Sequence, residues 1–226
     1  AQMAASHTGV IVRGNDLVFD AALKQAGAIR AQNIEDFFDL SRALERFGPY
    51  RFRGTRLAVA TLPGGEAVVV TDLCHQAGFS LPRLQQETLE KLKPVFPPWE
   101  ISGNPFDLGV TLQFHDPRKV YGTLLEAVAQ DPNVDALAIQ LPPRLQNAPR
   151  EFFLPFLEPL KAQKPIALWF PGFPPGRDEA FQWLEDQHVP VFPSPEKALK
   201  ALFALHRSSS WKSRASPPEP GFPKMK

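Results

Sequence analysis

The side chains of this 226-residue chain that could do chemistry are few: five histidines, one cysteine, and a glycine turn that ends an apolar run. His7, in Ser6-His7-Thr8-Gly9, stands among small and hydroxylic neighbours where a substrate could approach. Neutral imidazole is a competent nucleophile or base near pH 7. His75 falls on the solvent face of an expected helix, His115 precedes a helix cap, His188 sits at a helix end, and His206 caps a last turn, where a cation suits the helix dipole. No set of thiols, carboxylates and imidazoles has metal-ligand spacing, and no Ser-His-Asp order can be traced. Cys74 lies on the apolar stripe of a helix, which reads as a small buried thiol rather than a nucleophile.

The second feature is the run from Thr55 to Gly78. Leu57 to Thr61 is a short apolar stretch with strand character, and Pro63-Gly64-Gly65 breaks it as a turn does. Val68, Val69, Leu73, Cys74 and Ala77 then recur at helical spacing, with Gly78 placed as a left-handed C′ residue. A helix beginning beyond the carboxyl end of a buried strand offers unpaired N–H groups and a partial positive charge, which suits an anion. Gly64, Gly65, Glu66 and Ala67 are therefore the candidate phosphate-binding residues. The turn is neither a Walker loop, since no Gly-Lys-Ser/Thr follows, nor a dinucleotide fingerprint, since the third glycine of G-x-G-x-x-G is absent. Strand, Gly-Gly turn and helix also occur with nothing bound, so the turn alone leaves a plain structural role open.

The elements that must position these residues alternate. Helices are expected from Asn15 to Gly27 and from Asn33 to Gly48, both capped by asparagine and closed by glycine. A short helix, Glu87 to Lys93, stops at Pro94, and a long connection carries Gly103-Asn104-Pro105 and Asp107. Asp116 caps a helix with Pro117 at its first position. Then come a strand at Ala136 to Leu141, a helix at Glu151 to Ala162, a strand at Ile166 to Phe170, a helix at Asp178 to Gln187, a short strand at Val189 to Phe192, and a last helix from Ser194 to His206. This alternation predicts an α/β fold, a doubly wound parallel sheet of about five strands, carrying an N-terminal helical appendage. The two helices of residues 1–48 have no strand of their own and must pack on something else.

Composition bounds the partners. With 43% hydrophobic residues the chain can bury a full core, and a net charge of +1 lacks the basic excess of a nucleic-acid footprint. One cysteine excludes an internal disulfide. No apolar run approaches the ~20 residues that span a bilayer, and the N-terminus lacks a signal-peptide pattern, so a cytoplasmic protein is expected. The 25 prolines fall mostly at element boundaries, where a fixed φ costs little. Residues 207–226 crowd prolines, serines and basic residues without an apolar period, and are expected to be a disordered tail or linker. A start at Ala1 without methionine suggests a processed product or a fragment.

Taken together, Ser6-His7-Thr8-Gly9, Asp20-Ala21-Ala22, Gln25-Ala26-Gly27-Ala28-Ile29-Arg30, Glu35 to Leu40, Gly64-Gly65, Gly103-Asn104-Pro105 with Asp107-Leu108, Asp131 to Ala136, Lys164-Pro165, and Pro190 to Pro193 with Pro195-Glu196 carry a family pattern. From residue 5 to 206 the chain resembles the ADP-forming acyl-CoA synthetases (acetate–CoA ligases) of the succinyl-CoA synthetase superfamily, in the part that follows their first ligase domain. The resemblance implies a ligase that makes acid, CoA and ATP from acyl-CoA, phosphate and ADP, with His7 carrying the phosphoryl group. It also implies that CoA, ADP/ATP and Mg are held not by this chain but by CoA-binding and ATP-grasp domains or subunits, which would be its partners, and that the chain alone does not turn over.

The resemblance divides the chain into residues 1–48, closing a preceding ligase domain, 49–206, a complete flavodoxin-like ligase domain, and the tail 207–226. One departure matters. The family's turn reads G-G-P-G, whereas here Glu66 and Ala67 follow Gly65. A carboxylate about 5 Å from a phosphate costs roughly 3 kcal/mol per unit charge at an effective dielectric of ~20, more than the ~1 kcal/mol a helix terminus returns. An inward Glu66 would weaken phosphate binding and an outward one would change little. The alternative reading is a noncatalytic interaction or regulatory module with a degenerate phosphate site.

Overall fold

The computed structural model describes residues 16–48, 50–52, 54–62, 64–97, 103–145, 148–171 and 179–215, the last four without their side chains. Its helices are α1 (Asp16–Gln25), α2 (Ile34–Phe47), α3 (Gly64–Gln76), α4 (Gln86–Leu92), α5 (Thr111–Phe114), α6 (Pro117–Gln130), α7 (Glu158–Lys161), α8 (Glu179–Asp186) and α9 (Pro195–Ala215). The strands are β1 (Leu57–Thr61), β2 (Phe106–Asp107), β3 (Ala136–Gln140), β4 (Ile166–Trp169) and β5 (Val191–Phe192). All neighbours pair in parallel, in the order β2-β1-β3-β4-β5. This is the flavodoxin-like order, whose direction of winding reverses between β1 and β3.

Every residue of β1, β3 and β4 is buried, as expected of strands covered on both faces. Alternation along them sorts the core into two layers. Ala58, Ala60, Leu137, Ile139, Ile166 and Leu168 face α4 and α6, where Tyr121, Leu124, Leu125 and Val128 are buried. Leu57, Val59, Ala136, Ala138, Ala167 and Trp169 face α2, α3 and α9. The small residues on this second side let the helices sit close to the sheet. Each large apolar side chain so buried contributes about 1.5–3 kcal/mol.

Local signals account for the helix ends. The Asp116 carboxylate accepts from the N–H groups of Arg118 and Lys119, and Asn33 accepts from that of Asp36. Gly27, Gly48 and Gly78 close their helices with positive φ. Asn15 lies outside the described residues. Within α3, Val70 and Cys74 turn to the core while Val68 and Val69 are exposed, so the buried stripe is narrower than the valine run suggests.

Three expected elements differ. The connection after α4 contains β2, whose Phe106 and Asp107 pair with Ala60 and Thr61 at the edge of β1. Nearer the start of β1, the Asn104 side chain takes over from a strand: its Oδ1 accepts from the Val59 N–H at 2.9 Å and its Nδ2 donates to the Leu57 carbonyl at 2.7 Å. Residues 150–157 form a 3₁₀ stretch followed by the four-residue α7, because Pro155 and Pro159 each remove a donor an α-helix would need. The tail expected from residue 207 is instead helical to Ala215. There Ser209 is buried and its hydroxyl accepts from the Phe52 N–H, while Trp211 lies against Gly27. Those two contacts carry the helix through a serine run that has weak propensity of its own.

The appendage has two faces. Leu40, Ala43 and Phe47 of α2 are buried towards α9, and charged residues flank them. Glu35 and Asp39 pair with Lys197, Asp36 with Lys200, Arg42 with Glu185, and Arg46 with Asp186. The other face is apolar and open: Ile34, Phe37 and Phe38 are 77%, 58% and 66% exposed, and α1 buries no residue.

Candidate functional site

The polar groups at the carboxyl edge of the sheet gather where the winding reverses. Strand β1 ends at Thr61, and α3 begins at Gly64, so its first turn stands over the ends of β1 and β3. Gly64 and Gly65 are exposed, and Glu66 and Ala67 are half-buried. Gly64 lies close to β2: a Cβ there would come within 2.8 Å of the Asp107 carboxylate at the end of that strand, which would have to shift. At Gly109, a Cβ would come within 2.1 Å of the Leu62 carbonyl, so β2 and the turn after β1 are held in backbone contact. Gly65 faces open space.

Glu66 points inward over the sheet. Its Oε2 accepts from Gln140 Nε2 at 2.7 Å, at the end of β3, and its Oε1 accepts from the Trp169 indole Nε1 at 3.1 Å, at the end of β4. Gln140 is in turn fixed by the Leu62 N–H, which donates to its Oε1 at 2.6 Å. Because a backbone N–H can only donate, Gln140 must present its amide N–H₂ to Glu66. Trp169 is fully buried and Gln140 nearly so, which leaves these donors few alternatives. The Tyr121 hydroxyl donates to the Gln140 carbonyl at 2.8 Å from the opposite layer. Of the two orientations open to Glu66, the structure adopts the one that brings a negative charge to the helix terminus.

The remaining candidates are placed as follows. His7, Ser6, Thr8, Gly9 and Pro63 lie outside the described residues. His75 is exposed, His188 has its Nδ1 against the Arg46 carbonyl at 2.7 Å, and His206 has its Nδ1 against the Phe52 carbonyl at 3.2 Å. Cys74 is fully buried beside Val70, and burial pushes its thiol up to about 12, as an inert structural cysteine requires. Among the described residues no group of three or more His, Cys, Asp or Glu could hold a metal ion, and no helix is long and apolar enough to cross a membrane. Gln140 and Trp169 were not legible as site residues. Their only signal is position, as the last, polar-ended residues of Ala136–Gln140 and Ile166–Trp169.

Known proteins resemble this chain in sequence and in fold. The succinyl-CoA ligase-like flavodoxin domain family matches residues 1–44. The alpha subunit of acetate–CoA ligase [ADP-forming] I from Pyrococcus furiosus is 32% identical over 95% of this chain and 45% of its own length. A 4-hydroxybutyrate–CoA ligase [ADP-forming] from Nitrosopumilus maritimus is 30% identical over 93% of the chain and 29% of its own length. Among solved structures, the dinucleotide-forming acetyl-coenzyme A synthetase 1 of Ca. Korarchaeum cryptofilum, in complex with phosphate and ADP, superposes with a TM-score of 0.72 at 31% identity, covering 96% of this chain and 47% of that one. The chain thus spans less than half the length of these relatives. In sequence and in fold, the chain is similar to one part of these ADP-forming ligases.

Proposed function

We propose that this chain is the ligase-domain part of an ADP-forming acyl-CoA synthetase, acting with CoA-binding and ATP-grasp domains or subunits in the cytoplasm. The observation that carries the reading is the likeness to an acetate–CoA ligase alpha subunit along 95% of the chain. In the reaction, phosphate displaces CoA from acyl-CoA to give an acyl phosphate. A ring nitrogen of neutral His7 attacks its phosphorus, the bond to the acyl oxygen breaks, and the acid leaves as a carboxylate. The phosphoryl group then passes from His7 to the terminal phosphate of ADP. CoA, ADP/ATP and Mg are held by the partner domains, and the first turn of α3, from Gly64 and Gly65 to Glu66 and Ala67, is the part of this chain that faces the phosphoryl group.

The division into domains belongs to the same proposal. Residues 1–48 complete a preceding ligase domain, and the part from residue 49 is a second one, its last helix running to Ala215 rather than ending at residue 206. The family match to residues 1–44 supports this, as does the open apolar face of Leu17, Val18, Ile34, Phe37 and Phe38, which lies within the same stretch. Such a face is suited to covering the core of another layer.

His7→Asn in the assembled enzyme should abolish acid-labile label from γ-phosphate-labelled ATP and leave the unfolding temperature unchanged. Acid-labile label retained by the variant would move the chemistry to another residue. A second reading, a noncatalytic or regulatory module, is favoured by the inward carboxylate of Glu66. It expects no label in the wild-type assembly either.

A further inference from the structure

The donors around Glu66 form a site in their own right. Gln140 Nε2 and Trp169 Nε1 belong to two adjacent strands, come from side chains that are buried, and converge on one carboxylate. The first-turn N–H groups of α3 lack partners within their helix and stand at the same end of the sheet. The indole cannot accept a hydrogen bond at all, and the Gln140 amide is turned by Leu62 so that it can only donate towards Glu66. Buried donors of this kind need an anionic or strongly accepting partner, and leaving them without one is costly. Here the chain supplies that partner itself.

We propose that Gln140, Trp169 and the start of α3 form an anion cradle whose resident occupant is the Glu66 carboxylate, so that this end of the sheet is closed to free phosphate. Glu66 is thereby a specificity-determining residue. A phosphate about 5 Å from a fixed carboxylate is disfavoured, per unit charge, on the order of a hundredfold in affinity at an effective dielectric of ~20. Removing the carboxylate leaves the donors in place and turns a filled site into a vacant one. The inference rests on the proposed function in naming phosphate as the excluded anion, and it sides with the second reading given there, in which the turn from Gly64 to Ala67 holds no phosphate.

The test uses the full chain and reads the indole N–H resonance of Trp169, identified among the four tryptophans by its loss in Trp169→Phe. In the wild-type protein, inorganic phosphate should leave this resonance in place. In Glu66→Ala, both phosphate and acetate should move it saturably, acetate by restoring the missing carboxylate. Glu66→Gln keeps the shape without the charge, and should bind phosphate on the order of a hundredfold more tightly than the wild type; it decides the matter if Glu66→Ala does not fold. A saturable phosphate response in the wild type equal to that of the variants would overturn the proposal, as would the absence of any response in folded Glu66→Ala or Glu66→Gln. Neither result bears on the label carried by His7, which is read in the assembled enzyme.

Discussion

Asn104→Ala tests how β1, the strand that ends at the candidate site, is held at its edge. Strand β2 covers only Ala60 and Thr61, and the Asn104 side chain serves the Val59 N–H and the Leu57 carbonyl. Both Leu57 and Val59 are fully buried, so truncation leaves one donor and one acceptor in the core without partners. At about 1–3 kcal/mol for each of the two orphaned groups, the expected loss is about 2–6 kcal/mol, a large share of the roughly 5–15 kcal/mol typical of a whole domain. Urea unfolding followed by circular dichroism should show the midpoint falling by about 1–2 M at an unchanged slope. Asn104→Asp discriminates the mechanism. It keeps the acceptor for Val59 but sets a carboxylate oxygen against the Leu57 carbonyl, so it should be at least as destabilising as alanine. A loss below about 0.5 kcal/mol in Asn104→Ala, the range of an ordinary surface substitution, would refute the reasoning.

Two further outcomes follow from titrating groups. Asp135 is opposed by burial, but hydrogen bonds from the Arg56 side chain and backbone outweigh this and hold its carboxyl below the usual carboxylate range. Its contribution is therefore present above the unfolded-state value near 3.9 and is lost as pH falls from there through the folded value. Asp135→Asn should flatten the acid limb of the melting-temperature profile, and superimposable limbs would contradict the assignment. Burial raises the Cys74 thiol from 9.0 to about 12, so the native state retains a proton that the unfolded state releases. Its stabilisation is complete below pH 9.0 and is lost as pH rises towards 12, making the alkaline decline shallower in Cys74→Ala, and the native thiol should resist alkylation until the chain unfolds.

What could be read from residues alone was whatever is written locally. The strand, turn and helix from Leu57 to Gln76 follow from an apolar run, two glycines and a helical period, and the caps at Asn33 and Asp116 follow from single side chains beside the N–H groups they satisfy. Strand β2 escaped because two residues carry no period, and its pairing depends on a partner about 46 positions away in the chain. The inward turn of Glu66 depends on Gln140 and Trp169, which are 74 and 103 residues distant. No local rule links a helix's first turn to the ends of two later strands. The run of α9 to Ala215 likewise depends on Phe52 and Gly27, not on the serines that compose it.

The charges along α2 work as a directional code. Its first half is acidic and meets the lysines of α9, while its second half is basic and meets the acids of α8. A reversed helix would set Arg42 and Arg46 beside Lys197 and Lys200, and would turn Glu35 and Asp36 towards Glu185 and Asp186. Sliding by one turn, about 5.4 Å, would break most of the pairs at once. Apolar packing through Leu40, Ala43 and Phe47 supplies adhesion but would tolerate several placements. Like-charge opposition removes the wrong ones, so the seat of α2 on α8 and α9 acquires a single polarity and register. Because most of these pairs keep one partner partly exposed, that discrimination is sensitive to ionic strength: salt would blunt the choice of register before it weakened the contact itself.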